Sequence, residues 1–344
     1  VGSEMCIRDS HLVLAPMAGG VSTPELCAAV SNTGALGNLA GGYLTPEMFR
    51  QQLAAVEALT TAPYGVNLFL SGERSDLSEE KLDAWQAYRK TLMQNPDFSA
   101  FLDKEPKSNN DFYWEKLELV LQSKARVISI TFGYPNLETI EQIQQADKWV
   151  VLNATTPEEI EYLSKTPVDA IAVQGKEAGG HRATVLSSEE EGARYTTEAL
   201  LQQALVLTDK PIIAAGGIGT TATALSLIRQ GARAVQIGTA FLLAKEAGTK
   251  LAHKKALIEM KNRKTQLTRA FSGRLARTIK NQFAEKYSAV APSLYPEIHC
   301  LTAPLRAAAN KKGNAEYLNL WAGENFAEAQ EGSAAEIVER FTPY

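Results

Sequence analysis

The residues best suited to chemistry lie in one stretch, Asp169 to Arg182, which reads DAIAVQGKEAGGHR. Ala170 to Val173 is a short apolar run, the pattern of a strand buried on both faces. It ends at Gln174-Gly175 and runs into Gly179-Gly180-His181-Arg182. Two glycines without Cβ atoms let a flat ring approach the backbone closely. A buried strand running into such a turn is a usual way to aim one imidazole, here His181, at a ligand, and an imidazole titrates near neutrality. The plainer alternative is a glycine turn followed by a solvated His-Arg pair. Lys176 and Glu177 are expected to face solvent or to pair with each other.

A second chemical signal follows. Pro211 to Ala215 leads into Gly216-Gly217-Ile218-Gly219, and Ala234 to Ile237 leads into Gly238-Thr239. Backbone N–H groups at glycine-rich strand-to-helix turns bind phosphate, and Thr239 adds a hydroxyl donor. The phosphate could belong to a substrate or to a flavin mononucleotide.

These loops need strands behind them and helices after them. Thr-Pro-Glu recurs at 23–25, 45–47 and 156–158. Each copy follows a short apolar run and reads as a helix start, with a capping threonine, proline in the first turn and an acid near the positive helix end. Eight strands are expected, near 12–15, 35–39, 65–69, 127–132, 149–152, 169–173, 211–215 and 234–237. Eight such units make an α/β protein of the (β/α)8 TIM-barrel class. A doubly wound open sheet would want Gly-x-Gly-x-x-Gly after the first strand, and Ala18-Gly19-Gly20-Val21 does not supply it.

Residues 11–247 are expected to form the barrel, and residues 248–344 a mainly helical region and tail over its C-terminal face. Residues 71–126 read as a lid insertion with helices over 78–94 and 111–123, packed through Phe112, Tyr113 and Trp114. Residues 1–10, VGSEMCIRDS, have no structural period and are expected to be artefactual. His253 in AHKKAL and the basic run Lys261 to Arg277 read as solvated helical faces.

The 344 residues carry a formal charge of −4, and the basic run Lys261 to Arg277 lacks an aromatic stacking pattern, which argues against a nucleic-acid partner. The three cysteines show neither disulfide nor metal-ligand spacing, so no metal is expected and a reducing cytoplasm is the default. The longest uncharged run, Pro211 to Ile228, is broken by glycines and reads as strand, turn and helix, so no membrane association is expected.

Five segments occur in register: LAPMAGGVSTPEL, GVNLF, VQGKEAGGH, AAGGIG and QIGTAFLL. Together they resemble the nitronate monooxygenases, formerly 2-nitropropane dioxygenases, from about Leu12 to the C-terminal region. LYPEIHCLTAPLRAAANKKGN and LWAGENF resemble the bacterial class I type within that family. The resemblance implies an FMN-bound barrel with a helical second domain over its mouth. Met17 and Ala18 would then lie along the flavin ring, Asn67 and Gln174 would hydrogen-bond it, and Gly179 and Gly180 would pass beside it. Gly217, Gln236, Ile237, Gly238 and Thr239 would hold the ribityl phosphate. His181 matches the family's active-site histidine, and Tyr295 and His299 are candidates for the substrate pocket. Gln266 to Arg274 also resembles the family and could cover the site. Ala183, where many relatives have glycine, and Gly323-Glu324, where many have Gly-Gln, are departures.

The implied reaction is oxidative denitrification of an alkyl nitronate, propionate 3-nitronate above all, with O2 to a carbonyl and nitrite, in a detoxifying role. An FMN-dependent NAD(P)H enoyl-acyl-carrier-protein reductase shares the barrel and the Gly-Gly-His loop and is the enzyme alternative. A non-catalytic flavin- or phosphate-binding module is the alternative outside catalysis.

Overall fold

The computed structural model describes residues 11–70, 77–107 and 110–342. Residues 1–10, expected to be artefactual, lie outside the described residues, as do parts of the insertion and the chain end.

The parallel strands are β1 (Leu12–Leu14), β2 (Gly37–Ala40), β3 (Tyr64–Phe69), β4 (Val127–Thr131), β5 (Trp149–Ala154) and β6 (Ala170–Gln174). A short β7 (Gly180–His181) belongs elsewhere, and β8 (Ile212–Ala215) and β9 (Ala234–Ile237) complete the set. The eight-stranded sheet has the order β1-β9-β8-β6-β5-β4-β3-β2. A parallel bridge from Val13 to Leu36 joins β1 back towards β2 and closes the cylinder. All eight expected strands are present, and Ile171, Val173, Ile212 and Ala214 sit in the core between cylinder and helices.

The repeated Thr-Pro-Glu starts act as read. Thr23, Thr45 and Thr156 each accept a hydrogen bond at the side chain from the N–H three residues on. They open α1 (Pro24–Ser31), α2 (Pro46–Leu59) and, two strands later, the helix Pro157–Ser164. Each has proline at its first position, where its missing N–H costs nothing.

The expected lid divides into two parts with different jobs. Its first helix, α3 (Glu79–Met93), buries Trp85, Tyr88 and Leu92 with Phe271, Phe283 and Ile298 in a second core. Its second helix, α4 (Tyr113–Gln122), buries Tyr113, Leu117 and Val120 in the barrel core instead and packs on α2 and β3. It is the barrel's third helix rather than part of a lid, and Trp114 is 55% exposed. The chain end also returns to the barrel. Residues Ala334–Phe341 form a helix with a reciprocal capping box between Ser333 and Glu336, and its Ile337, Val338 and Phe341 join the barrel core.

The run read as a solvated helical face is a hairpin, β10 (Thr265–Thr268) and β11 (Ala276–Ile279), and β11 pairs with β7. Threonine at 265, 268 and 278 and Ile279 favour strand here, and Gly273, at φ 78°, supplies the left-handed turn residue. Its arginines face glutamates: Arg269 lies 2.8 Å from Glu189 and 2.7 Å from Glu190, and Arg277 lies 3.0 Å from Glu324. The C-terminal region is completed by helices Gln282–Tyr287 and Glu297–Lys311.

Candidate active site

The loop after β6 is built from its own hydrogen bonds. Gln174 Nε2 donates to the His181 carbonyl (3.1 Å), and Gln174 Oε1 accepts from the Ala183 N–H (2.9 Å). The amide expected to bind a flavin thus pins the loop that carries the histidine. Glu177 is half-buried, and no ion pair joins it to Lys176 among the described residues. Its Oε2 accepts from the N–H of Thr197 (3.0 Å), at the first turn of the helix Thr197–Leu207, where a negative charge suits the helix dipole. Arg182 is fully buried, with Nη1 donating to the Gly175 carbonyl, so the solvated His-Arg alternative is excluded. Beyond it, buried Glu159 accepts from the N–H groups of Val185 (2.6 Å) and Leu186 (3.0 Å).

His181 is therefore fixed at both ends of its backbone, by Gln174 and by pairing with Ala276 of β11. Its ring contacts Phe132 (5.7 Å between centroids), Tyr295 (5.8 Å) and Trp321 (5.3 Å). Nε2 lies 2.8 Å from Ser272 Oγ. The Ser272 hydroxyl also lies 3.1 Å from the Arg274 carbonyl. The same hydroxyl is the hydrogen-bond partner of His181 Nε2, and which of the two donates follows the imidazole tautomer. Burial, reinforced by Arg274 and Arg306, lowers the His181 pKa to about 3. The imidazole is thus neutral at pH 7, the form a base requires, and an anion bound beside it raises that pKa. Arg274 lies 4.3 Å over the Phe132 ring and 3.4 Å from Glu189, tying this wall to the hairpin.

A cavity of about 470 Å³ opens at the C-terminal ends of the strands. Met17, Ala18, Asn67, Gln174, Gly179, Gly180 and His181 line it, and so do Gly217, Gln236, Gly238, Thr239 and His299. Two expected residues do not. Ile237 is turned into the barrel core because strand side chains alternate, so its neighbours Gln236 and Gly238 face the cavity in its place. Tyr295 stands behind the wall, against His181, with its hydroxyl donating to Tyr43 at 3.2 Å. Asn67 is anchored through Nδ2 to Ser129 Oγ (2.9 Å) and Thr131 Oγ1 (3.0 Å), so it offers the cavity its carbonyl oxygen.

The paired glycines after β8, and Gly179 after β6, are required by geometry. Gly216 (φ 118°) and Gly217 (φ 67°) hold left-handed backbone, which other residues rarely adopt. A Cβ on Gly179 would fall 2.5 Å from backbone atoms of Ala322 and Gly323. Thr239 Oγ1 accepts from the Gly323 N–H (3.0 Å), which leaves its own proton to donate.

Sequence reasoning missed Tyr43, Phe132, His253, Arg306 and Trp321, all of which line the cavity. Tyr43 and Phe132 hold φ of 67° and 73° just past β2 and β4. The rule that barrel sites form at strand C-termini would have flagged both. His253, expected in solvent, is turned inward: its ring hydrogen-bonds the Trp321 backbone, and burial lowers its pKa to about 4. Its Nε2 is buried without a partner among the described residues.

Comparison with known proteins bears directly on this site. A family model described as nitronate monooxygenase matches residues 5–343. A probable nitronate monooxygenase of Bacillus subtilis (strain 168) is 34% identical over 315 residues, 91% of this chain and 89% of the relative. One from Staphylococcus aureus (strain N315) is 33% identical over 329 residues, 94% of this chain and 90% of the relative. The solved nitroalkane oxidase from Streptomyces ansochromogenes superposes with a TM-score of 0.91 at 38% identity, covering 98% of this chain and 96% of its own. FabK from Thermotoga maritima, covering 99% of this chain and 94% of its own, reaches a TM-score of 0.75 at 21% identity, a likeness of fold alone. With a histidine-bearing barrel-mouth cavity and a family model spanning nearly the whole sequence, the chain is a flavin-dependent oxidoreductase and belongs to the nitronate monooxygenase family.

Proposed function

We propose that the chain binds FMN and oxidises alkyl nitronates with O2 to a carbonyl product and nitrite, with propionate 3-nitronate as the substrate class its motifs resemble. One observation carries this reading. The cavity holds a neutral histidine on a Gly-Gly loop and, among the described lining residues, no aspartate or glutamate. An acid-free cavity suits an anionic substrate beside a phosphate-bearing cofactor.

The residues fit FMN. Gly217, Gly238 and Thr239 would hold its phosphate on backbone N–H groups and one hydroxyl. Gly180 (φ 74°) has no atom within 4 Å of a Cβ position, so its side of the loop is open to a flat ring. The orphan His253 Nε2 fits a hydroxyl donor of a bound ligand.

When bound, the flavin supplies electron acceptance and the reaction with oxygen. The chain supplies position and proton handling. His181 takes the α-proton of a neutral nitroalkane, and a nitronate arrives with that proton already gone. Phe132, Tyr295 and Trp321 keep water from the imidazole. No helix among the described residues is long and apolar enough to cross a membrane; the role proposed for the reaction is detoxification.

The cofactor reading has a direct check. The purified protein should be yellow, and denaturation should release FMN, identified by chromatography and mass. Release of FAD, or failure to take up any flavin on reconstitution, would contradict the site assignment.

A further inference from the structure

Arg306 is a buried charge with no counter-charge. It lies on the helix Glu297–Lys311, is 7% exposed and lines the cavity. Its partners are all neutral: Thr302 Oγ1 at 3.1 Å from Nε, Asn319 Oδ1 at 3.3 Å from Nη1, and the His299 carbonyl at 2.9 Å from Nη2. Arg274 and Arg277, the neighbouring arginines, each carry a glutamate, at 3.4 and 3.0 Å. Among the described residues no carboxylate forms an ion pair with Arg306. Burial lowers its pKa only to about 10, so the guanidinium stays charged at pH 7. A buried cation without an anion is costly, and such a group lining a cavity is matched by an anionic ligand.

The position of this cation separates it from the phosphate loops. Arg306 bonds residues 299, 302 and 319, not the glycine turns at β8 and β9. His299 stacks on Tyr43 at 4.6 Å and meets Tyr295 at 6.3 Å, and Tyr295 meets His181 at 5.8 Å. The guanidinium thus stands two rings from the proton-handling group along this path, and its charge acts on His181 across the same cavity. Lys250, exposed at the rim and also lining the cavity, adds a second cation on the same side. A planar guanidinium held by Thr302 and Asn319 offers the geometry that suits a carboxylate.

We infer that Arg306 determines substrate specificity by holding a carboxylate at the end of the nitronate remote from the reacting carbon. This rests on the nitronate reading of the site. The test compares propionate 3-nitronate with propyl-1-nitronate, which lacks the carboxylate, in the FMN-loaded wild type and in Arg306→Gln and Arg306→Lys. Wild type should favour the carboxylated substrate in kcat/KM by roughly 10²-fold. Arg306→Gln should raise KM for that substrate by a similar factor, with a clearly smaller loss in kcat/KM on the uncharged substrate. Arg306→Lys should recover part of the loss. Direct binding of 3-nitropropionate, measured by calorimetry, should weaken in parallel, with flavin content unchanged.

A wild type with no preference overturns the inference even where the variants fail to fold. Equal losses on both substrates, or unchanged binding of 3-nitropropionate, also overturn it. A wild type that oxidises neither nitronate defeats the functional reading itself and the inference with it.

Discussion

His181→Asn should retain flavin and fold while turnover of a neutral nitroalkane falls by roughly 10²–10⁴-fold, the range for a lost general base. The loss on a preformed nitronate should be smaller, because that substrate needs no deprotonation. Asparagine keeps a polar end towards Ser272 and leaves the backbone pairing with Ala276 intact. The ring is not a loosely held surface group, since it packs among Phe132, Tyr295 and Trp321. A stability cost of about 1 kcal/mol is therefore expected alongside the kinetic effect. Ser272→Ala belongs in the same series. It removes the hydrogen-bond partner that orients Nε2, so it should lower neutral-substrate turnover less than His181→Asn does and spare the nitronate. Equal losses on both substrates for His181→Asn would remove proton abstraction as its role.

Lys116→Met should cost about 3–5 kcal/mol of stability, because it leaves a buried carboxylate without its cation. Lys116 Nζ lies 2.6 Å from Asp111 Oδ2 and 2.8 Å from the Gly41 carbonyl, and the lysine side chain is fully buried. Burial is the leading influence on both partners, raising the Asp111 pKa and lowering that of Lys116. The pair is thus a positioning device more than a source of stability. What it positions is the site: Asp111 Oδ1 accepts from the Tyr43 N–H at 2.7 Å and holds that residue at φ 67°. Asp111→Asn combined with Lys116→Met should recover much of the lost stability, since no unpaired charge remains. Urea unfolding of the single and double variants measures this. A loss below about 1 kcal/mol in Lys116→Met would show the carboxylate relieved by some other route.

The barrel was legible because its signals are local. A capping threonine before proline and glutamate acts within one turn, and a buried parallel strand is a run of four or five apolar residues. The glycine loops were legible for the same reason. What was misread depends on partners far along the chain. Tyr113, Leu117 and Val120 carry no mark of the barrel face they bury, and without that face α4 reads as lid. The arginines at 269, 274 and 277 look solvated until Glu189 and Glu324 arrive from other segments. His253 sits in a lysine-rich helix, and only the fold turns it towards Trp321. The final helix carried a readable capping box at Ser333 and Glu336, which the sequence reading passed over.

The central claim is that the cavity oxidises nitronates rather than accepting hydride from a nicotinamide. The most direct test mixes the oxidised, flavin-loaded protein anaerobically with propionate 3-nitronate and, separately, with NADH and NADPH, following flavin absorbance in a stopped-flow instrument. Rapid bleaching by the nitronate, with slow or no bleaching by either nicotinamide, is the predicted result. Rapid bleaching by a nicotinamide with none by the nitronate would contradict the account and favour the enoyl reductase.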